Sequence, residues 1–290
     1  MRIAVMLIVT ILAIAALGIG GCASGASANN VLGSQPQLAA VKITGSAAAY
    51  PALEVLASSY KARVKGIDIV FLPGNYSEGG IAGVKDGLAD IGAMSRKLRP
   101  EESDGLLHYR ELATDAMLVA TNLNVARITS LTTEDLRAIY SGTVRDSRDL
   151  GGPNTRIVVL DLPEDDTAKM LLRQKYLGDS LKIAKSAVLL QQDAELVKTL
   201  VDTPYSIGIF SLAMAQAVDK NQPVSHLSLN GVAPTVQNVL AGRYPMVRDL
   251  GIVWRDDASA DTKQFIEFAF SKEGAAELMR SGFVPLAGNE

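Results

Sequence analysis

Cysteine is almost absent from this chain: Cys22 is the only one in 290 residues. A folded part that uses Cys22 as an anchor can therefore close no internal disulfide. Histidine is nearly as scarce, and His108 and His226 show no ligand-like spacing, so neither a metal site nor a His-dependent triad is indicated. Aromatic residues make up 5% of the chain and the formal net charge is −3. With no basic excess and few rings to stack on bases, nucleic acid is not an expected partner. Ser58 and Lys61 form an S-x-x-K pair, but without companion motifs the expectation is an ordinary helix face. The carboxylates of residues 161–166 lack the spacing of a calcium loop. No cofactor motif, internal repeat or nucleophile–base pair stands out, so an enzyme is not expected.

What is there begins with a leader. Met1 and Arg2 precede an almost unbroken apolar run that ends in Ile19-Gly20-Gly21, directly before Cys22. A basic start, an apolar centre and small residues at the end predict a secretory signal over residues 1–21. The four residues ending in Cys22 resemble a bacterial lipobox, with Ile19 where leucine is usual. That resemblance implies cleavage before Cys22 and a diacylglycerol on its sulfur. The run also rivals a membrane span, for which roughly 18 apolar residues suffice, so a retained N-terminal anchor is the alternative. Either reading puts the folded part outside the cytoplasm. Residues 22–39 are mostly small and polar and read as a flexible tether. Loss of residues 1–21 removes one basic residue, Arg2, and no acidic one, which shifts the formal balance to −4.

The most informative stretch covers residues 67–98. An apolar strand with Ile67, Ile69, Val70 and Phe71 runs into the loop Pro73-Gly74-Asn75-Tyr76-Ser77-Glu78-Gly79-Gly80. A helix follows, with Ile81, Val84 and Leu88 at spacings of three and four, and then a second apolar run from Ile91 to Met94. Ser77 is placed to cap the helix and Gly87 to end it. Strand, helix, strand is a βαβ unit, which implies a parallel sheet. The spacing predicts free backbone N–H groups at Glu78, Gly79 and Gly80, a seat for an anion, with the Ser77 hydroxyl adding a hydrogen bond. The plainer reading is a capped turn. The same device occurs upstream: a strand over residues 41–44, then Gly45-Ser46, then a helix with Pro51 near its start and Leu53, Leu56, Ala57 and Tyr60 on one face. Two such loops converge on one sheet edge, where ligands of open α/β sheets sit.

These residues together resemble the phosphate-binding proteins of ABC transporters, a family of periplasmic binding proteins. Gly45-Ser46, Ser77-Glu78-Gly79-Gly80 and Asp90-Ile91-Gly92-Ala93-Met94-Ser95-Arg96 carry the likeness. So do Leu131-Thr132-Thr133-Glu134-Asp135-Leu136 through Gly142, Gly151-Gly152-Pro153, and Arg243-Tyr244-Pro245. The resemblance implies a two-lobe α/β fold, each lobe a mostly parallel sheet flanked by helices, with two inter-lobe crossings. Lobe 1 is expected over residues 40–118 and 230–290, and lobe 2 over residues 119–229. Strands are expected at residues 116–120, 157–160, 206–210 and 247–254, and helices from about Thr132, Asp165, Asp193 and Ser271, with residues 228–232 carrying the chain back.

By the same resemblance, hydroxyls and N–H groups from three loops would hold a small oxyanion, phosphate or similar, between the lobes. Ser46, Ser77, Glu78 and Gly79 fall in the matching loops. Ser95 falls where the family has a ligand-contacting Asp or Ser, and Tyr50 where an aromatic residue can offer its backbone N–H. The third loop departs: Asp165 and Asp166 replace Ser-Gly before Thr167, and Asp161 falls near an arginine position. Each carboxylate about 4 Å from an anion would cost roughly 4 kcal/mol at an effective dielectric near 20. A charge-assisted hydrogen bond returns only about 1.5–3 kcal/mol. Either Asp165 caps its own helix, or the loop selects a cationic or donor-rich ligand. Arg96 could compensate or pair with surface acids. The expected function is a lipid-anchored, extracytoplasmic, monomeric binding protein that serves a membrane permease. The alternative is a sensor or scaffold lipoprotein with the same fold and a different, non-phosphate ligand.

Overall fold

The computed structural model describes residues 39–74, 76–122, 128–217, 222 and 224–286. The leader, Cys22 and all but the last residue of the tether lie outside them. Among the described residues no helix is long and apolar enough to cross a membrane.

The chain opens β1 (Ala39–Gly45), α1 (Tyr50–Arg63), β2 (Ile67–Phe71), α2 (Ser77–Lys85) and β3 (Ile91–Met94). β1 pairs in parallel with both β2 and β3, the arrangement expected of two successive βαβ units. α1 buries Leu53, Leu56, Ala57 and Tyr60, the face its spacing predicted. α2 buries Ile81 and Val84 but stops at Lys85, and Gly87 turns the chain with a φ of +68°. Leu88 therefore lies beyond the helix and is exposed, contrary to the spacing argument that placed it on the apolar face.

Next comes β4 (Leu107–Asn122), a strand of 16 residues where the sequence indicated only its apolar centre. The remainder runs β5 (Ser130–Leu131), α3 (Thr133–Ser141), β6 (Val158–Asp161), α4 (Thr167–Leu172), β7 (Val188–Leu189), α5 (Asp193–Asp202), β8 (Ser206–Ser211) and α6 (Leu212–Ala217). β9 (Val224–Leu229), α7 (Val236–Leu240), β10 (Val247–Arg255), α8 (Ala260–Ala269), α9 (Lys272–Arg280) and β11 (Val284–Pro285) complete it. Thr132 caps α3 through a reciprocal box with Asp135, and Ser271 caps α9.

The strand order is β2-β1-β3-β10-β4-β8-β6-β7. β4 makes two neighbourhoods out of one ladder. Residues 107–116 pair antiparallel with β10, whereas residues 117–122 pair with β8 and β9. Outside these crossing strands the pairs β1–β2, β1–β3, β6–β7 and β6–β8 are parallel. The two larger hydrophobic cores follow the same division, giving the two-lobed α/β architecture. One gathers Val41, Ile43, Leu53, Leu56, Ile91, Leu250 and Phe265; the other gathers Met117, Leu136, Tyr140, Leu160, Leu172, Leu196 and Phe210. Val239, Tyr244 and Met246, from the segment expected in lobe 1, pack in the second core, and the chain rejoins the first at Leu250. The Tyr244 hydroxyl donates to the Met117 carbonyl at 2.9 Å and ties the two crossing segments together.

Candidate ligand cleft

Strand direction fixes where the loops collect. β1 and β3 point their carboxyl ends the same way, and β10, antiparallel to β3, brings its amino-terminal end to that edge. In the second lobe Ser211, at the carboxyl end of β8, pairs with Met117, so β8 and its parallel neighbours β6 and β7 end facing the crossing. The loops into α1, α2, α4 and α5 all leave from these edges. This is the crevice where open α/β sheets take ligands.

On the first-lobe side three serines meet. The Ser46 hydroxyl donates to the Ser95 hydroxyl at 2.8 Å, and the Ser95 N–H donates to the Ser77 hydroxyl at 3.1 Å. Ser46 and Ser77 are buried and Ser95 is half-buried. Close backbone approach makes the meeting possible. Gly45 adopts φ +120° and its Cα lies against Gly80, while Gly92 faces the Gly80 carbonyl. α2 can seat its first turn on β1 and β3 only because none of the three carries a Cβ.

The first turn of α2 is not the open anion seat that spacing predicted. Ser77 is the first helical residue, so Tyr76 and not Ser77 occupies the capping position, without a side-chain cap. The N–H groups of Gly79 and Gly80 both donate to the Tyr76 carbonyl, at 3.0 and 3.3 Å. Glu78 is exposed and accepts from Arg96 at 2.8 Å. Arg96 also grips Glu102 through two bonds of 2.6 and 2.8 Å, so its charge is committed to acids of its own lobe. That pairing, chiefly the Arg96 hydrogen bonds, lowers the Glu102 carboxyl to about 2. Tyr50 gives its N–H to the Ala47 carbonyl and its hydroxyl to the Leu72 carbonyl at 2.9 Å, and its ring meets Phe71 edge-on. In this geometry both its polar groups serve the loop.

On the second-lobe side the acidic loop largely neutralises itself. Asp161 is buried against the ammonium group of Lys169, a side chain with no exposed surface. Glu164 pairs with Arg173, and Asp165 is exposed. The helix cap is Asp166, not Asp165: its carboxylate accepts from the N–H groups of Ala168 and Lys169 at 2.8 and 3.1 Å. Thr167, half-buried, opens α4 beside it.

The crossing supplies residues that the sequence did not suggest. Asp115 on β4 stands opposite Arg248 on β10, and the guanidinium donates to Asp115 Oδ2 through Nε at 3.0 Å and Nη2 at 2.7 Å. Asp115 is fully buried, and burial raises its carboxyl pKa even though Arg248 opposes the shift. Asp193, the first residue of α5, is pushed up to about 6, first by burial and then by Asp166, with Arg248 pulling the other way. Residues 115 and 248 are far apart in sequence, and only the strand register could have revealed the pair.

Comparison with known proteins completes the description. The PBP superfamily domain matches residues 30–273. The phosphate-binding protein PstS of Bacillus subtilis is 24% identical over 278 residues, which cover 94% of this chain and 89% of that protein. PstS of Borreliella burgdorferi is 25% identical over 252 residues, covering 84% and 89%. Among solved structures, a Clostridium perfringens substrate-binding protein assigned to phosphate ABC transport, with phosphate bound, superposes with a TM-score of 0.71 at 24% identity, over 85% of this chain and 99% of that one. An ABC-type phosphate transport receptor of Vibrio cholerae gives 0.64 at 25% identity, over 85% and 99%. These relatives are phosphate-binding proteins, and the chain belongs with them to the PBP superfamily.

Proposed function

We propose that this chain is a lipid-anchored, extracytoplasmic solute-binding protein that traps a small oxyanion between its lobes and passes it to the permease of an ABC transporter. The meeting of Ser46, Ser77 and Ser95 at one sheet edge is the observation that carries this reading. Three hydroxyls and the adjoining main chain form a neutral donor set, which can hold an oxyanion by hydrogen bonds without a fixed counter-charge. No group needs to react; binding and lobe closure suffice, and the protein acts as a monomer. Ser46, Ser77 and Ser95 are the residues we assign to the ligand from this lobe. Thr167 is the corresponding hydroxyl of the other lobe. Family membership supports transport as the purpose of that binding.

Isothermal titration of the full chain in detergent with inorganic phosphate tests the reading. Uptake that weakens about ten- to hundredfold in Ser77→Ala, the worth of one hydrogen bond to a charged group, supports it. No heat with phosphate or any other oxyanion would exclude it. The anchor has its own test. Mass spectrometry of protein recovered from bacterial membranes should find Cys22 as the first residue, carrying lipid. Since one acyl chain holds only marginally, two or more are expected. A mature chain that still carries residues 1–21 would refute lipidation.

A further inference from the structure

The crossing pair is only half satisfied. Nε and Nη2 of Arg248 both donate to Asp115 Oδ2, which leaves Asp115 Oδ1, in a residue with no exposed surface, without a hydrogen-bond partner among the described residues. Asp193 Oδ1, reaching the same region from the start of α5, is buried and unpartnered as well. A buried acceptor left unmatched costs roughly 1–3 kcal/mol, and more when charged, so two in one place call for a donor. Among the described residues Arg248 is the one cation coupled to both Asp115 and Asp193, and Asp166 adds a third carboxyl group beside Asp193, so acids outnumber the cation here.

A bare oxyanion would not relieve these oxygens. It brings acceptors where donors are wanted, and like charge to like. A primary ammonium group brings three donors and a positive charge on one small atom. We propose that Asp115 and Asp193 form a subsite for an ammonium group on the ligand, so that the solute is an oxyanion carrying a primary amine, its oxyanion end on Ser46, Ser77 and Ser95. This rests on the oxyanion reading above and narrows it to a zwitterionic ligand. The departure of the third loop is then consistent with the rest of the cleft: Asp161 and Glu164 are internally paired, Asp166 caps α4, and the negative charge that remains near the crossing meets the cationic end of the guest.

The test is a set of three titrations with the full chain in detergent, using inorganic phosphate, ethylphosphonate and 2-aminoethylphosphonate. The last two differ only by the amine. The amine-bearing probe should bind at least about tenfold tighter than ethylphosphonate, as expected for a charge-assisted bond in a partly buried site. Asp193→Asn should move the two probes in opposite directions, weakening the amine and strengthening ethylphosphonate, because it removes one negative charge near both. The amine's advantage should also shrink as pH falls through about 6, where Asp193, faced by Asp166, Asp115 and Arg248, takes up a proton. Equal affinity of the two phosphonates, or a preference that survives Asp193→Asn, overturns the proposal while leaving oxyanion binding intact. Silence with all three probes removes the oxyanion reading and this one with it. The comparison of probes on the unaltered chain stands even if the variant does not fold.

Discussion

Lys169→Met is expected to destabilise the protein by about 3–5 kcal/mol, the cost of leaving one partner of a buried ion pair alone. The Lys169 side chain has no exposed surface and sits against Asp161, whose side chain is 7% exposed. Its ammonium group also lies 5.5 Å from the centre of the buried Tyr140 ring. Removing the cation strands the buried Asp161 carboxylate without its counter-charge, with Glu164, the other carboxylate beside Lys169, adding repulsion. Methionine fills most of the lysine's volume, so cavity formation adds little and electrostatics decides the outcome. The companion variant sharpens the test. Asp161→Leu combined with Lys169→Met replaces both charges by apolar groups and should recover most of the loss, because the pair's own desolvation cost goes with it. Urea unfolding monitored through the second lobe measures both. A single variant as stable as the parent, or a double variant as damaged as the single one, would show that the pair is not buried as described.

Gly45→Ala should cost about 2–5 kcal/mol and abolish ligand uptake as well. Two effects add at this position. The backbone is at φ +120°, which L side chains rarely adopt, and the new Cβ would fall against the Ala93 carbonyl oxygen and within 2.9 Å of both the Ala93 nitrogen and the Gly80 Cα. Those atoms are main chain and cannot turn aside. Relief requires parting the end of β1 from both β3 and α2, which separates Ser46 from Ser95 and Ser77. Gly87→Ala provides the control. Its φ of +68° is also strained, but a Cβ there meets nothing within 4 Å, so about 1 kcal/mol and unchanged binding are expected. Thermal unfolding and phosphate titration distinguish the two, and a Gly45→Ala protein that binds normally would refute the close approach of α2.

Local periodicity carried the first lobe well. α1 buries the residues its spacing named, and β1, β2 and β3 pair as two βαβ units should. It failed where polar residues are matched by distant partners. The part of β4 before Ala116 contains Tyr109, Arg110, Glu111 and Asp115 and reads as a loop. In the fold Arg110 lies over the Phe270 ring, Glu111 meets Lys97 at 2.8 Å and Asp115 meets Arg248. Each partner lies well outside any helical or strand window, so no window can show that the segment is a strand. The serine cluster was legible because each serine follows a strand and glycines stand close by in sequence. The crossing carboxylates were not, because their significance depends on register between β4 and β10 and on the start of α5. Lys169 illustrates the limit most clearly. As a lysine in a short helix it reads as solvated, and only the tertiary arrangement around Asp161 reveals it as part of the interior.

One connection between the lobes is β4 itself, bonded to β10 along residues 107–116 and to β8 and β9 along residues 117–122. A loop bends by rotating a few unconstrained dihedrals, but a strand held on both flanks cannot bend sharply without surrendering ladder bonds. It can yield by twist, which sheets accommodate in small increments along their length. The two halves of the molecule are thus mounted on something closer to a torsion rod than a door hinge. Any movement of one half against the other by way of β4 must be taken up as twist, gentle at any one residue and summed over many.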